Sequence, residues 1–250
     1  MNILAIDIGN TNIALGLFEG PRLAKKAKMP TAEYGLYGKR LKGFAGADAG
    51  KESVIKVVIS SVAPKALAKI RKALAAFKCR QVLVLGGNAA VPIRNLYRIK
   101  RQVGQDRLVN AYAAKTLYGT PCVIIDLGTA VTFDVVSRNG AYLGGLILPG
   151  IEMSLSGLHE KTALLPKVRL KAARHIIGKD TVSSMRGGIL FGLGATCDGL
   201  IARYKKLLGK DLKVVLTGGS SRLIRKYTTS VHTIDEDLTL KGLYLIGRTA

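Results

Sequence analysis

The segment LAIDIGNTN, residues 4–12, carries an apolar strand straight into an aspartate, a glycine and a cluster of small polar residues. Taken alone, its DIGNT core has two readings. Asp7 can close a hairpin turn through Asx-type hydrogen bonds. Alternatively, the backbone N–H groups of the turn, with the Asn10 and Thr11 side chains, can converge on an anion. Gly9 serves either role, by accepting positive φ or by letting another group approach closely. The decision depends on whether the pattern recurs.

It does recur. CVIIDLG (122–128) is a second apolar strand ending Asp-x-Gly, and DLGTA repeats the arrangement with Asp126, Gly128 and Thr129, 119 residues after Asp7. The surroundings repeat as well. NIALGLF (12–18) and LAKKAKM (23–29) read as strands after the first turn, and AVTFDVV (130–136) and AYLGGLIL (141–148) as strands after the second. The next turn glycine lies 13 residues beyond Asp7, at Gly20, and 14 beyond Asp126, at Gly140. KVVISSVAPKALAKI (56–70) and KVVLTGGSSRLIRKY (213–227) both read strand, small-residue turn, basic helix. Between the copies, EYGLYGKRLKGFAGAD (33–48) reads as a helix with a loop, KALAKIRKALAAF (65–77) as an amphipathic helix and QVLVL (81–85) as a strand. DRLVNAYAAKTLYG (106–119) is helical by apolar spacing and stops at Gly119, with Pro121 beyond. The chain is therefore one βββ-α-β-α unit used twice, with helices and loops inserted in the second copy. This predicts two mixed α/β domains, 1–115 and 116–250, facing each other across a cleft. Two such turns with an aspartate at each strand end suit a nucleotide and a cation, because carboxylates hold Mg²⁺, a monovalent cation or water beside phosphates.

Composition narrows the setting. The chain has 250 residues, 48% of them hydrophobic, enough for a sizeable core. The first residues lack a basic n-region and a long apolar run, so no secretion signal is expected. No apolar stretch nears the ~18 to 20 residues that span a bilayer. Cys79, Cys122 and Cys197 are far apart with no C-x-x-C, and His159, His175 and His232 do not cluster with them. A disulfide framework and a Cys/His zinc site are both unexpected, and a cytoplasmic setting is expected. The net charge of +23, from 39 Lys+Arg against 16 Asp+Glu, attracts polyanions in general. With no basic tail, no Trp and little aromatic interleaving, it does not point to nucleic acid.

The familiar nucleotide motifs are absent. No G-x-x-x-x-G-K-[ST] follows a strand, and no G-x-G-x-x-G opens a helix, which removes the P-loop and Rossmann readings. VGQDR (103–107) stands where a helix begins. Asp106 is either a plain N-cap or, beside a nucleotide, a group that orients and deprotonates a substrate hydroxyl while Arg107 grips an acidic group. Phosphoryl transfer tolerates a carboxylate of ordinary pKa, because its loose transition state asks little bond formation of the nucleophile. GGLILPG (144–150) and TGGSS (217–221) read equally as close backbone packing and as a flat bed for adenine or ribose.

In order and spacing, DIGNTN, ISSVAP, GQDR, DLGTA, GGLILPG, LLP, TVSSMRGG, TGG and LTLKGL resemble the type III pantothenate kinases, from Asp7 to about Ile246. That family belongs to the actin, sugar kinase and heat-shock ATPase superfamily. The resemblance implies duplicated ribonuclease H-like (actin-like ATPase) domains and ATP-dependent phosphorylation of pantothenate, the first step toward coenzyme A. By position, Asp7, Ile8, Gly9, Asn10, Thr11, Asn12, Ile13 and Ala14 match the first phosphate segment that holds Mg·ATP, and Thr129 matches a further ATP contact. Gly104, Gln105, Asp106 and Arg107 match the segment at pantothenate, with Asp106 as proton acceptor. Asp126 matches the ligand of an activating K⁺ or ammonium ion, and Thr181 a pantothenate-binding threonine. Tyr97 matches a substrate-contacting tyrosine, although YRIKRQVGQDR (97–107) lacks the Asn/Asp-Pro pair of many members and is more basic. The resemblance also implies a homodimer. A regulatory relative without strong catalysis and another small-molecule kinase of the superfamily are the alternative readings.

Overall fold

The computed structural model describes residues 2–45, 56–75, 77, 79–231 and 233–250. The loop expected at 46–48 and His232 lie outside the described residues. The chain divides into two units, Met1–Ala113 with Leu238–Ala250, and Ala114–Asp237.

In the first unit, apolar residues run along β1 (Asn2–Ile8), where Ile3, Leu4, Ala5 and Ile6 are all buried, and along β2 (Asn12–Glu19), and the hairpin to β3 (Arg22–Pro30) turns at Gly20, whose φ is +58°. A 3₁₀ turn at Tyr34–Leu36 leads to α1 (Tyr37–Ala45), followed by β4 (Lys56–Ser61), α2 (Pro64–Leu74) and β5 (Gln81–Val84). Pro64 opens α2, where its missing N–H costs nothing. The sheet order is β3-β2-β1-β4-β5, antiparallel across the first three strands and parallel from β1 through β4 to β5.

The second unit repeats this arrangement. β6 (Cys122–Leu127), β7 (Ala130–Val136) and β8 (Tyr142–Pro149) form the meander, turning at Gly140 with φ +73°. β9 (Lys213–Thr217) and β10 (Thr233–Ile234) complete a sheet of order β10-β9-β6-β7-β8 with the same senses. The insertion is α4 (Ile151–Glu160) and the 28-residue α5 (Thr181–Leu208), with a four-residue α6 (Ser221–Ile224) and a 3₁₀ turn (Arg225–Tyr227) after β9. Even an irregularity is shared. The β2/β3 register shifts between Leu17 and Phe18, and the β7/β8 register between Val135 and Val136. In each sheet that is three residues past the partner of the strand-end aspartate, Ala14 opposite Asp7 and Thr132 opposite Asp126.

Each sheet separates two faces, and this places the aspartates. Leu4, Ile6, Ile8, Ile13, Leu15, Leu17, Val57 and Ile59 form one core with Tyr37 and Leu41 of α1 and Ile70 and Leu74 of α2. The opposite face carries Ile3, Ala5 and Asp7 and is covered by α7 (Leu238–Thr249). Phe18 stacks on Tyr244 with ring centroids 4.6 Å apart, and a Cβ on Gly247 would fall 2.7 Å from Val58 and 3.2 Å from Ile3. In the second sheet, Ile125, Leu127, Val131 and Phe133 pack with α4 and α5, so Asp126 again leaves the other face.

The buried side chains of α7 belong to the first unit, to which the chain returns after Asp237.

Candidate active site

The first turn is pinned by its neighbours. Gly9 N–H donates to Asn12 O at 3.0 Å, the Thr31 hydroxyl donates to Gly9 O at 2.8 Å, and Thr31 N–H to Thr11 O at 2.9 Å. The glycine is required for space rather than for φ. Gly9 has no positive φ, but a Cβ there would sit 3.0 Å from Asn12 O. Asn10, Thr11 and Asn12 are exposed, whereas the Ile8 and Ile13 side chains are fully buried in the core. Those two positions can reach a ligand only through their backbone. Asp7 stands between Ala14 on β2 and Ser60 on β4.

The Gly104–Arg107 segment is brought to the same end of this sheet. Val62 N–H donates to Ile8 O at 3.0 Å, continuing the β1/β4 ladder past Asp7, and Gly104 lies against Val62. A Cβ on Gly104 would fall 2.4 Å from Asp106 Oδ1, so glycine is what lets the carboxylate fold back at the start of α3 (Gln105–Tyr118). Asp106 Oδ1 accepts from Arg107 N–H at 2.9 Å. Burial pushes the Asp106 carboxyl above the ordinary carboxylate range, with the Arg107 N–H and guanidinium pulling the other way. Arg107 is 9% exposed. Gln105 packs on Gly86, where φ is +78° and a Cβ would lie 3.0 Å from the amide. Thus β1, β4 and β5, which run parallel, deliver Asp7, Val62 and Gly86 at their carboxyl ends, the usual place for a ligand in such sheets.

Tyr97 is half-buried in the loop after β5, with its N–H bonded to Asn95 Oδ1 at 2.9 Å. The flanking Arg98, Lys100 and Arg101 are exposed. A cavity of about 580 Å³ lies elsewhere in this unit, between α2 and β5, and touches the segments above only at Gly86.

The second unit builds the matching turn around Asp126. Gly128 N–H donates to Ala130 O at 3.1 Å, and Thr129 is exposed. Asp126 stands between Thr132 on β7 and Thr217 on β9. Gly218, with φ +88°, is irreplaceable there: a Cβ would fall 2.5 Å from Asp126 Oδ1. Gly150 packs as tightly, with a Cβ position 2.1 Å from Thr129 O. Of the two readings open for TGGSS and GGLILPG, close packing is therefore met directly. Thr181 is exposed at the first position of α5, just after the Asp180 cap, whose carboxylate accepts from Ser183 N–H at 2.8 Å. The sequence reading missed Ser60 and Thr31. Only their positions opposite the turn mark them.

Chemically, each turn offers hard oxygen donors, Asp7 with the exposed Asn10 and Thr11, and Asp126 with the exposed Thr129. Among the described residues no group of three or more His, Cys, Asp or Glu could enclose a metal.

The profile of the type III pantothenate kinase family matches residues 3–203. The chain is 39% identical over 250 residues to a type III pantothenate kinase of Myxococcus xanthus, covering 98% of this chain and 97% of that one. It is 40% identical over 251 residues to one from an Anaeromyxobacter species, covering 98% of each. In fold alone, it is similar to the activator of the 2-hydroxyisocaproyl-CoA dehydratase from Clostridium difficile, solved with bound ADPNP. That match has a TM-score of 0.56 at 14% identity, over 100% of this chain and 94% of the other. Two five-stranded sheets of one topology, each with an aspartate next to the end of its first strand, make this a duplicated actin-like ATPase fold, and the chain belongs to the type III pantothenate kinase family.

Proposed function

We propose that this chain transfers the γ-phosphoryl group of ATP to the terminal hydroxyl of pantothenate, the first step of coenzyme A synthesis. The observation that carries the reading is Asp106. Its carboxyl is pushed up by burial and held at the same sheet end as Asp7 by the Ile8–Val62–Gly104 contacts. A carboxylate with a raised pKa is a better general base than an ordinary one. In this reading the backbone and polar side chains of Asp7 to Ala14, with Thr129, hold the nucleotide. Gly104, Gln105, Arg107, Tyr97 and Thr181 hold pantothenate, and Arg107 neutralises its carboxylate or the transferring group.

Two cations fit the residues present. At Asp7, a carboxylate beside the buried Ser60 hydroxyl suits Mg²⁺, which neutralises phosphate charge when bound. At Asp126, a carboxylate packed against Gly218 and flanked by Thr132 and Thr217 suits K⁺ or ammonium. An edge strand supports a homodimer: β8 exposes Leu143, Leu146 and Ile147 at 40%, 43% and 64%, whereas the edge strand β3 carries exposed lysines. No helix among the described residues is long and apolar enough to cross a membrane.

The test is ADP release by purified protein with pantothenate, in K⁺, ammonium or Na⁺, beside Asp106→Asn. Turnover is expected to need K⁺ or ammonium, and the variant to lose about 10²- to 10⁴-fold in rate. Full activity in Asp106→Asn removes the mechanism. Absence of pantothenate-dependent turnover in every cation removes the function and favours a regulatory relative or a kinase for another small molecule.

A further inference from the structure

Ser60, near the end of β4, is fully buried, and its Oγ has no hydrogen-bond partner among the described residues. An orphaned buried hydroxyl destabilises the fold, a penalty that alanine would not carry. Its position is specific. Ser60 is in parallel register with Asp7, so both side chains leave the α7 face of the sheet from adjacent strands about 4.8 Å apart. The residue on the other side of Asp7 is Ala14, which offers no polar group. One oxygen ligand seated between the strand ends can therefore bond Asp7 and Ser60 together.

The second unit carries the same pairing. Thr217, 1% exposed, stands in parallel register with Asp126. Both strand-end aspartates thus face a buried hydroxyl on the neighbouring parallel strand, while the residues on their antiparallel side, Ala14 and Thr132, differ in kind.

We propose that Ser60 is a positioning residue for the divalent cation at Asp7, its hydroxyl bonding a water of the cation's hydration shell that Asp7 also holds. This rests on the reading of Asp7 given above. Mg²⁺ gives up its waters reluctantly, so a protein oxygen that receives one of them fixes the ion without displacing it. Outer-sphere partners of this kind typically change metal affinity by 10- to 100-fold.

The experiment measures Mn²⁺ affinity in the presence of ADP by electron paramagnetic resonance, with ADP affinity in EDTA and the thermal midpoint as controls. Ser60→Ala is expected to weaken Mn²⁺ binding about tenfold or more, with ADP affinity in EDTA unchanged and the midpoint equal or higher. Ser60→Thr, which installs the residue found at Thr217's place, is expected to keep wild-type Mn²⁺ affinity. If Ser60→Ala does not fold, Ser60→Cys preserves the volume with a weak donor and is expected to show the same loss. Unchanged Mn²⁺ affinity in Ser60→Ala or Ser60→Cys, or a loss of stability alone, overturns the proposal. Asp7→Asn separates the two ideas. If it weakens Mn²⁺ while Ser60→Ala does not, only the role of Ser60 falls. If neither variant changes Mn²⁺ affinity, the reading of Asp7 falls as well.

Discussion

Asp106 is held against its own stability. Its pKa in the fold is raised above the unfolded value of about 3.9, so protonation favours the folded state. That contribution is fully present below the unfolded pKa and is lost as pH rises through the folded one. At neutral pH the ionised carboxylate is therefore a net cost, and Asp106→Asn should raise the thermal midpoint at pH 7 even as it removes turnover. The gain should vanish in acid. A lower midpoint at pH 7 would show that the Asp106–Arg107 contact outweighs desolvation. The same shift places the acidic limb of kcat/KM above the ordinary carboxylate range, which a pH–rate profile checks. Asp134 is a contrasting case. It is fully buried yet receives the Tyr142 hydroxyl at 2.8 Å and the Thr132 hydroxyl at 2.9 Å, which ties the residue opposite Asp126 into a fixed network.

Among the elements, the strands were the easiest to read and α5 the hardest. Apolar runs and hairpin glycines marked β1 to β3 and β6 to β8 because a strand run bounded by turn glycines is a local signal. α5 carries five glycines in 28 residues, a poor helix by propensity. Tertiary contact explains one of them: a Cβ on Gly194 would fall 2.0 Å from Tyr227 O, so the helix meets the 3₁₀ turn backbone to backbone. Asp198 fastens the same helix to the following loop, accepting from the Thr228 hydroxyl and from Thr229 N–H, the Thr229 hydroxyl and Ser230 N–H, each of these three at 2.9 Å. Burial alone would raise its pKa, but these hydrogen bonds outweigh it and hold the carboxyl at about 2. A depressed pKa stabilises the fold above the unfolded value, and the benefit is lost as pH falls from about 4 toward 2. Asp198→Asn should therefore cost about 1–2 kcal/mol at pH 7, after discounting for solvent screening, with the deficit narrowing in acid. Urea unfolding across that range measures it, and a constant deficit would contradict the ionic origin. β5 shows a different device. Asn88 accepts from Val84 N–H at 2.7 Å and donates to Val82 O at 2.9 Å, occupying polar groups on an edge strand that would otherwise invite another strand.

For the whole molecule, the informative element is α7. It follows the second unit in sequence but belongs to the first, burying Leu238, Leu240, Leu243, Tyr244 and Ile246. Lys56 reinforces the return, its Nζ donating to Gly247 O at 2.8 Å. Each such apolar side chain contributes about 1.5–3 kcal/mol, so together they rival the roughly 5–15 kcal/mol by which a domain is stable. Truncation before Leu238 should leave residues 1–113 unfolded while 114–237 retains its core. Hydrogen exchange resolved by segment checks this, and wild-type protection of β1 and β4 in the truncated chain would refute it.

What the sequence determined by itself is the repeated part. Apolar strand runs, hairpin glycines and the Asp-x-Gly ends are short-range patterns, and their recurrence 119 residues apart specified the duplicated meander and both turns. The G-Q-D-R segment was visible as a helix start, but its nearness to Asp7 was not, because that depends on Val62 bridging Ile8 and Gly104. Ser60 was hidden for the same reason. Its register with Asp7 comes from a connection of 47 residues between Ile8 and the start of β4 at Lys56. Contacts between neighbours in sequence are written in periodicity, whereas contacts across a sheet and between distant segments exist only once the chain has packed.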